Sequence, residues 1–252
     1  MKIASWNVNS LNVRLPHVLE WLAAAKPDVL ALQETKLTDD KFPANTISEA
    51  GYHVCFAGQK TYNGVAIISK SEASDVCIGI PGLDDEQKRL IAATVDDVRI
   101  MNCYVPNGQE VGSEKYLYKF RWLEALQAYL AGELAHHTRL VLLGDINIAP
   151  ADVDVHNPKR WRGAIMCSEP ERDIFGRILA VGLRDAIRML EPDVPNYTWW
   201  DYRLNAFARG WGLRIDHILA SKALTPTTCG VDVDMRDRER PSDHAPVWVE
   251  LG

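Results

Sequence analysis

Near the end of the chain, Ser242-Asp243-His244-Ala245-Pro246 precedes the alternating run Val247-Trp248-Val249. A carboxylate beside an imidazole at the mouth of a terminal strand suits phosphoester chemistry. The carboxylate can hold a divalent cation or a neighbouring polar group, and the imidazole can bind a phosphate oxygen or move a proton. Such a pair is common in surface loops when it stands alone. Here three other polar clusters also lie at the ends of apolar runs: Asn7-Val8-Asn9, Gln33-Glu34-Thr35-Lys36 and Gly144-Asp145-Ile146-Asn147.

In Leu30-Ala31-Leu32-Gln33-Glu34 the apolar run ends in an acid, which puts Glu34 at a sheet rim where it can face a cleft. In Leu140-Val141-Leu142-Leu143-Gly144-Asp145-Ile146-Asn147 a buried type of strand opens through a glycine into Asp-x-Asn. Period-two alternation predicts Asp145 and Asn147 on the same side. A carboxylate and an amide so placed suit a hard cation or the phosphate it activates, and Asn7 adds a neutral oxygen. Oxygen donors dominate and His and Cys are too scattered for zinc, so Mg²⁺ or Mn²⁺ is the matching ion. Asp216 sits in the apolar run Leu213-Arg214-Ile215-Asp216-His217-Ile218-Leu219, where an unpaired carboxylate would be costly. Either His244 is its partner, which would fix the imidazole tautomer and stabilise its charged form, or an arginine such as Arg214 is. Tyr104 closes a strand ahead of Pro106-Asn107-Gly108 and either touches a phosphate or is structural.

Strands must deliver these groups to one place. Apolar runs bounded by turn residues predict strands over 2–6, 28–33, 52–57, 64–69, 90–95, 98–104, 139–144, 214–220 and 246–250. Helical spacing predicts a helix over 13–25, with Leu15, Val18, Leu19 and Leu22 on one face and Lys26-Pro27 as the stop. A longer helix over 114–135 follows the N-cap residue Ser113 and turns Leu117, Phe120, Leu123, Leu126 or Leu130, and Leu134 inward. Further helices are expected over 169–181 and 185–190. The strands follow one another too closely for strict strand–helix–strand repeats, so the expected architecture is an α/β sandwich of mixed sheets covered by helices. No low-complexity linker or charge block divides the chain, and residues 1–252 are read as one domain.

With 252 residues, 47% of them hydrophobic, the chain can build one sizeable core. It has no apolar run of the roughly 18 residues that a membrane span needs, and Met1-Lys2 leads straight into a strand without a signal-peptide pattern. Five scattered cysteines (Cys55, Cys77, Cys103, Cys167, Cys229) form no Cys-x-x-Cys pair, which points to a reduced, cytoplasmic protein with no zinc or disulfide framework. The net charge of −6 does not exclude nucleic acid, because a nuclease needs only a local basic rim around an acidic metal centre. Two such rims are present: Lys159, Arg160 and Arg162 with Arg172, and Arg203, Arg209 and Arg214. Both are interleaved with aromatics (Trp161; Trp199, Trp200, Tyr202, Phe207, Trp211).

Taken in order, Trp6-Asn7-Val8-Asn9-Ser10, Leu32-Gln33-Glu34-Thr35-Lys36, Tyr104-Val105-Pro106-Asn107-Gly108, Gly144-Asp145-Ile146-Asn147-Ile148-Ala149-Pro150, Thr198-Trp199-Trp200-Asp201-Tyr202-Arg203, Gly212-Leu213-Arg214-Ile215-Asp216 and Ser242-Asp243-His244-Ala245-Pro246 span essentially the whole chain. This series resembles the exonuclease III family of apurinic/apyrimidinic (AP) endonucleases. The resemblance implies the four-layer α/β sandwich of the deoxyribonuclease-I-like superfamily, two packed mixed sheets flanked by helices with the active site at one edge. It also implies metal-dependent cleavage of DNA phosphodiesters in base excision repair. The expected partner is double-stranded DNA with AP sites or blocked 3′ ends, bound by a monomer with no membrane role.

Carried over by position, Glu34 is the main metal ligand, with Asn7, Asp145, Asn147 and Asp243 completing the shell in one or another bound state. Asp145 orients or deprotonates the attacking water, Asn147 and Tyr104 hold the scissile phosphate, and His244, positioned by Asp216, binds the phosphate. Either Asp145 or His244 could move the proton. Lys36, Arg160 and Arg203 are expected on DNA. Trp199, Trp200 and Leu213 are expected to form an apolar pocket for a flipped abasic sugar or a frayed 3′ end, one of the two tryptophans belonging to the core. Met166 and Cys167 are expected to pack under the 152–168 loop rather than line the pocket. The alternatives are a superfamily phosphoesterase acting on a phosphoinositide or phospholipid, and a catalytically silent binding module. The first does not usually share Thr-Trp-Trp-Asp-Tyr-Arg, and the second would be expected to lose a metal or dyad residue.

Overall fold

Runs such as Val29–Gln33, Val65–Ser69 and Leu140–Asp145 are buried at every position, the mark of strands covered on both faces. The computed structural model describes residues 1–252 and arranges these runs in two six-stranded sheets. The strands are β1 (Lys2–Asn7), β2 (Val29–Gln33), β3 (His53–Ala57), β4 (Val65–Ser69), β5 (Ser74–Ile78), β6 (Leu90–Val95), β7 (Val98–Tyr104), β8 (Leu140–Asp145), β9 (Leu183–Asp185), β10 (Asp216–Ser221), β11 (Pro226–Val231) and β12 (Val247–Leu251). The helices are α1 (Leu11–Ala25), α2 (Ala44–Glu49), α3 (Glu114–His136), α4 (Pro158–Trp161), α5 (Glu169–Ala180) and α6 (Ala186–Leu190). One sheet runs β11-β12-β1-β2-β4-β3 and the other β5-β6-β7-β8-β10-β9. Each holds one parallel pair among antiparallel neighbours, β1 with β2 and β7 with β8.

Alternation along each strand sorts the core into layers. Ile3, Val29, Ala31 and Ile67 of one sheet meet Ile100, Val141, Leu143 and Ile218 of the other. The opposite faces are covered by helices. Trp21 and Leu22 of α1 and Ile47 of α2 pack on Ala4, Trp6, Leu30 and Ile68, while Trp122, Leu126 and Leu130 of α3 and Phe175 and Ile178 of α5 pack on Met101, Leu140 and Leu142. The four-layer mixed sandwich expected from the sequence is therefore the fold. Capping fixes where the helices begin: Ser113 accepts the Tyr116 N–H, and Ser168 with Glu171 forms a capping box at α5.

Four details differ from the sequence reading. Strands β5, β9 and β11 were not expected; β5 is largely exposed, β11 is mostly half-buried or exposed, and all three lie at sheet edges, where no buried alternation is required. Helices α2 and α4 were not expected either, and at six and four residues they carry too little periodicity to read. The predicted strand 214–220 begins only at Asp216. On α3, Leu117 is exposed, because the buried face runs through Tyr116, Lys119, Trp122 and Leu123.

Candidate active site

The two parallel pairs end side by side, and their carboxyl ends carry the polar groups. Asn7 closes β1 in register with Gln33 of β2, one residue before Glu34, and Tyr104 closes β7 in register with Asp145 of β8. The loop into β12 brings Asp243 and His244 alongside. Glu34, Tyr104, Asn107, Asp145, Asn147, Met166, Trp199, Ile215, Asp243 and His244 line one cavity of about 170 Å³.

The Asn7 amide nitrogen donates to Glu34 Oε1 at 2.8 Å and to Asp145 Oδ2 at 2.9 Å, tying the two sheets' carboxylates together. Its oxygen accepts the backbone N–H of Asn9 at 3.0 Å. Asn7 thus meets both carboxylates as a donor, while its oxygen accepts from its own turn. The other Glu34 oxygen pairs with Lys36 Nζ at 2.8 Å, and Lys36 also donates to Asn9 Oδ1. Lys36 is therefore held against Glu34 at the cavity's edge. Asp243 accepts from Asn9 Nδ2 at 2.9 Å and from Trp199 Nε1 at 3.0 Å.

The Asp-x-Asn pair does share a side, but by a turn and not by strand alternation. β8 stops at Asp145, whose Oδ1 accepts the Asn147 N–H at 3.0 Å, and Asn147 sits in the left-handed region at φ 54°. Gly144 lets the strand reach that turn: a Cβ there would stand 1.9 Å from the Cys103 carbonyl oxygen on β7. The Asn147 amide donates to the Val105 carbonyl and accepts from Asn107, both at 3.0 Å. From beneath, the fully buried Lys119 of α3 donates to the carbonyls of Asn147 (2.8 Å) and Asn107 (3.3 Å) and pairs with buried Glu171. Glu171 in turn accepts from the backbone of Met166 and Ser168. One buried ion pair thus joins the three loops that form this wall.

Behind the cavity, His244 Nδ1 lies 2.8 Å from Asp216 Oδ2, which also accepts the Thr198 hydroxyl at 2.6 Å. Arg214, the other candidate partner, is engaged elsewhere, with Asp154 at 2.6 Å and Asp185 at 2.8 Å. His244 Nε2 faces Asp145 Oδ2 at 3.8 Å. Burial opposes a charged imidazole, but Asp216 and Asp145 outweigh it and raise His244 to about 10. Burial, then the Asp216 and Glu34 carboxylates, push Asp145 up to about 7 against the pull of His244. Burial first, then Glu34 and Asp145, also hold the Tyr104 phenol well above its ordinary range, with the Arg89 guanidinium 4.7 Å from its ring centre.

The expected lesion pocket is rearranged. Trp199 lines the cavity, but Trp200 is 5% exposed, packs with Ala206 and Ala245, and meets Phe207 edge-on. Leu213 is 0% exposed and belongs to a small apolar cluster with Val155 and Cys167. Neither Trp200 nor Leu213 can touch DNA in this conformation. Ile215 and Met166 take their place on the apolar wall, Met166 at a left-handed φ of 68°. The expectation that Met166 only packs under the loop is corrected, whereas Cys167 does pack there. Arg160 and Arg203 lie together on a second, larger cleft that meets this cavity at Trp199. Asn107, Thr198, Lys119 and Glu171 were not anticipated.

Donor atoms of Asp145, Asp216 and His244 lie within 4.8 Å of one another. Asp216 and His244 are already bonded to each other, however, so the oxygens of Glu34, Asp145 and Asp243 are those left to face a cation. Buried carboxylates converging on one cavity fit a positive ion, and an oxygen set fits a hard one.

A sequence-family profile described as Endonuclease/Exonuclease/phosphatase family matches residues 4–244. The chain is 38% identical over 267 residues to the exodeoxyribonuclease III of Haemophilus influenzae, covering 100% of both, and 36% identical to an exodeoxyribonuclease of Bacillus subtilis, covering 98% of both. Among solved structures it superposes on a 3′ phosphatase from Neisseria, NExo, bound to a product DNA hairpin, with TM-score 0.99 and 51% identity over 100% of this chain and 99% of that one. An AP endonuclease from Archaeoglobus fulgidus gives TM-score 0.96 and 41% identity over 100% and 99%.

Proposed function

The chain belongs to the endonuclease/exonuclease/phosphatase family and, within it, to the exodeoxyribonuclease III group; from that premise we propose that it is a metal-dependent DNA repair nuclease acting on AP sites, 3′-blocking groups or 3′ nucleotides. One observation carries the reading. Glu34, Asp145 and Asp243 meet His244 around a single cavity, and the imidazole is held from behind by Asp216.

Glu34, with Asp145 and Asp243, would hold Mg²⁺ or Mn²⁺, while Asn7 steadies two of those carboxylates through its amide nitrogen. A bound ion supplies positive charge to offset the charge that develops on the phosphate. Asp145 is fixed by Asn7 and by the Asn147 N–H, and is placed to take a proton from the attacking water. Between Asp216 and Asp145 the His244 imidazole carries a proton on both nitrogens, so Nε2 donates to a phosphate oxygen and Asp216 holds the resulting charge. The protonated Tyr104 phenol and the Asn147 amide hold the remaining phosphate oxygens. The water oxygen bonds to phosphorus as the P–O3′ bond breaks; O3′ takes up a proton from solvent to leave a 3′-hydroxyl, and Asp145 returns the proton it accepted to solvent.

A groove of about 550 Å³ beside the site carries Lys36, Lys41 and Lys60 and suits a phosphate backbone, so the overall charge of −6 is no obstacle. No helix is long and apolar enough to cross a membrane. We place the enzyme in the cytoplasm as a monomer whose 252 residues act as one catalytic domain, since the site draws on both sheets and both ends of the chain. Full-length similarity to exodeoxyribonucleases sets aside the phospholipid alternative. The test is gel analysis of the purified protein on two duplexes, one with an internal AP-site analogue and one nicked with a 3′-phosphate, with Mg²⁺, Mn²⁺ or EDTA. Metal-dependent processing of either duplex is expected. Inertness on both in every metal would overturn the proposal.

A further inference from the structure

A second cleft of about 620 Å³ adjoins the reaction cavity and shares only Trp199 with it. Its walls are unlike those of a solvated surface. Trp161 and Trp211 flank His156, whose ring lies near-parallel to Trp211 (6.0 Å between centres, 15°) and edge-on to Trp161 (6.3 Å, 79°). His156 Nδ1 lies 3.2 Å from the Gly212 carbonyl oxygen, which can only accept; the neutral ring therefore leaves Nε2 as an acceptor. Arg160 and Arg203 stand at the rim, Arg203 paired with Asp201 at 2.6 Å. The Arg209 guanidinium also lies over the Trp211 ring, 4.6 Å from its centre, and an aromatic wall with a few hydrogen-bonding groups and a cationic edge suits a nucleobase attached to a phosphate chain.

We infer that this cleft takes the unpaired terminal nucleobase of the strand being cut, which makes it a subsite for frayed or mismatched 3′ ends. Size and position support that occupant. The cavity of about 170 Å³ around Asp145 and His244 is below the roughly 300–1,000 Å³ of ordinary ligand pockets, so it suits a phosphate and a sugar without a base. The neighbouring cleft falls inside that range. The terminal nucleotide lies on the 3′ side of the scissile phosphate, and Trp199 is the wall common to both spaces. With its phosphate in the cavity, that nucleotide has its own base as the group that can extend past Trp199 into the cleft. A base on the opposite strand remains in the duplex and has no such tether. A terminal base must leave its partner to enter, which costs least when it is already mismatched. The cleft therefore favours removal of unpaired 3′ nucleotides. A 3′-phosphate on a paired end has no nucleoside beyond the phosphorus and makes no use of the cleft.

This inference rests on the nuclease reading, and the experiment separates the two. Wild type, Trp211→Ala and Trp161→Ala are compared on a mismatched 3′ nucleotide and on a paired 3′-phosphate nick, both in Mg²⁺. Loss of one base–aromatic stack should raise KM on the mismatched end on the order of ten-fold and leave 3′-phosphate removal unchanged. In parallel, with EDTA, a 3′-terminal mismatched 2-aminopurine should be quenched on binding wild type and much less by Trp211→Ala. The same probe in the opposite strand should not respond to the substitution. Equal loss on both substrates in both variants, unchanged KM in both, or a response only from the opposite strand would overturn the inference. Absence of all activity in the wild type would instead strike the nuclease reading, leaving the 2-aminopurine result to decide the cleft.

Discussion

Replacing Asp216 by Asn keeps the shape of the side chain and removes the charge behind His244. In the folded protein Asp216 Oδ2 accepts from both Thr198 (2.6 Å) and His244 Nδ1 (2.8 Å), while Oδ1 is buried without a partner. An asparagine oxygen can keep these contacts only as neutral hydrogen bonds, and its amide nitrogen would be buried where Oδ1 now has no partner. A hydrogen bond to a charged group contributes about 1.5–3 kcal/mol against about 1 for a neutral one. The difference, roughly 1–2 kcal/mol, corresponds to a five- to thirty-fold loss if geometry survives, and more if the ring turns. His244→Ala removes the phosphate donor itself and should cost more. Because both act through one imidazole, the double variant should be little worse than His244→Ala alone. The assay is single-turnover cleavage of a 3′-phosphate nick by all four proteins at saturating Mg²⁺, with melting temperatures to confirm folding. Additive losses would show that Asp216 acts independently of His244 and refute the dyad.

Lys119→Met strands the buried Glu171 charge and frees the carbonyls of Asn107 and Asn147. It should cost about 3–5 kcal/mol, read by thermal unfolding, and lower kcat more than KM; Glu171→Gln in the same chain should recover part of the stability. Trp200→Ala should lower the melting temperature through a core loss of about 3–5 kcal/mol. Trp199→Ala should instead lower selectivity for AP-site over intact duplex with a smaller loss of stability; the reverse pattern would overturn the assignment of the two rings. Burial opposes ionisation of Asp154 and Asp185, but Arg214 with Arg188 at the first and Arg214 with His217 at the second outweigh it and hold both carboxyls below their ordinary values. Their stabilisation is therefore complete above the unfolded value near pH 3.9 and is lost as pH falls through the lower folded values. The stability gap between wild type and Asp154→Asn should be wide at neutral pH and close below about pH 4 in urea titrations.

The sequence was legible where burial left a pattern. Val65–Ser69 and Leu140–Asp145 are apolar because helices or the second sheet cover both faces, and a carboxylate inside the run at Asp216 needed a partner that the structure supplies. Edge strands such as Ser74–Ile78 face solvent and carry no such constraint. That one of the two tryptophans belongs to the core was legible, but which one, and the burial of Leu213, were not, because 198–213 is irregular chain tied by isolated bridges, such as Trp199 with Leu213, where alternation does not decide which side chain is covered. Lys119 escaped notice because a lysine in a helix usually faces water. Its spacing with Tyr116, Trp122 and Leu123 on the buried face was the available signal. Thr198 and Asn107 act through contacts with residues distant in sequence, which no local pattern encodes.

The central claim is that Glu34 anchors a hard cation on which cleavage depends. Its most direct test is Mn²⁺ and Mg²⁺ titration of wild type and Glu34→Ala, following cleavage of the AP-analogue and 3′-phosphate duplexes alongside duplex binding in EDTA. The account predicts that wild type is inactive in EDTA and restored by either ion. Glu34→Ala should need far more metal and turn over far more slowly while still binding the duplex. Full activity of Glu34→Ala in EDTA would contradict it.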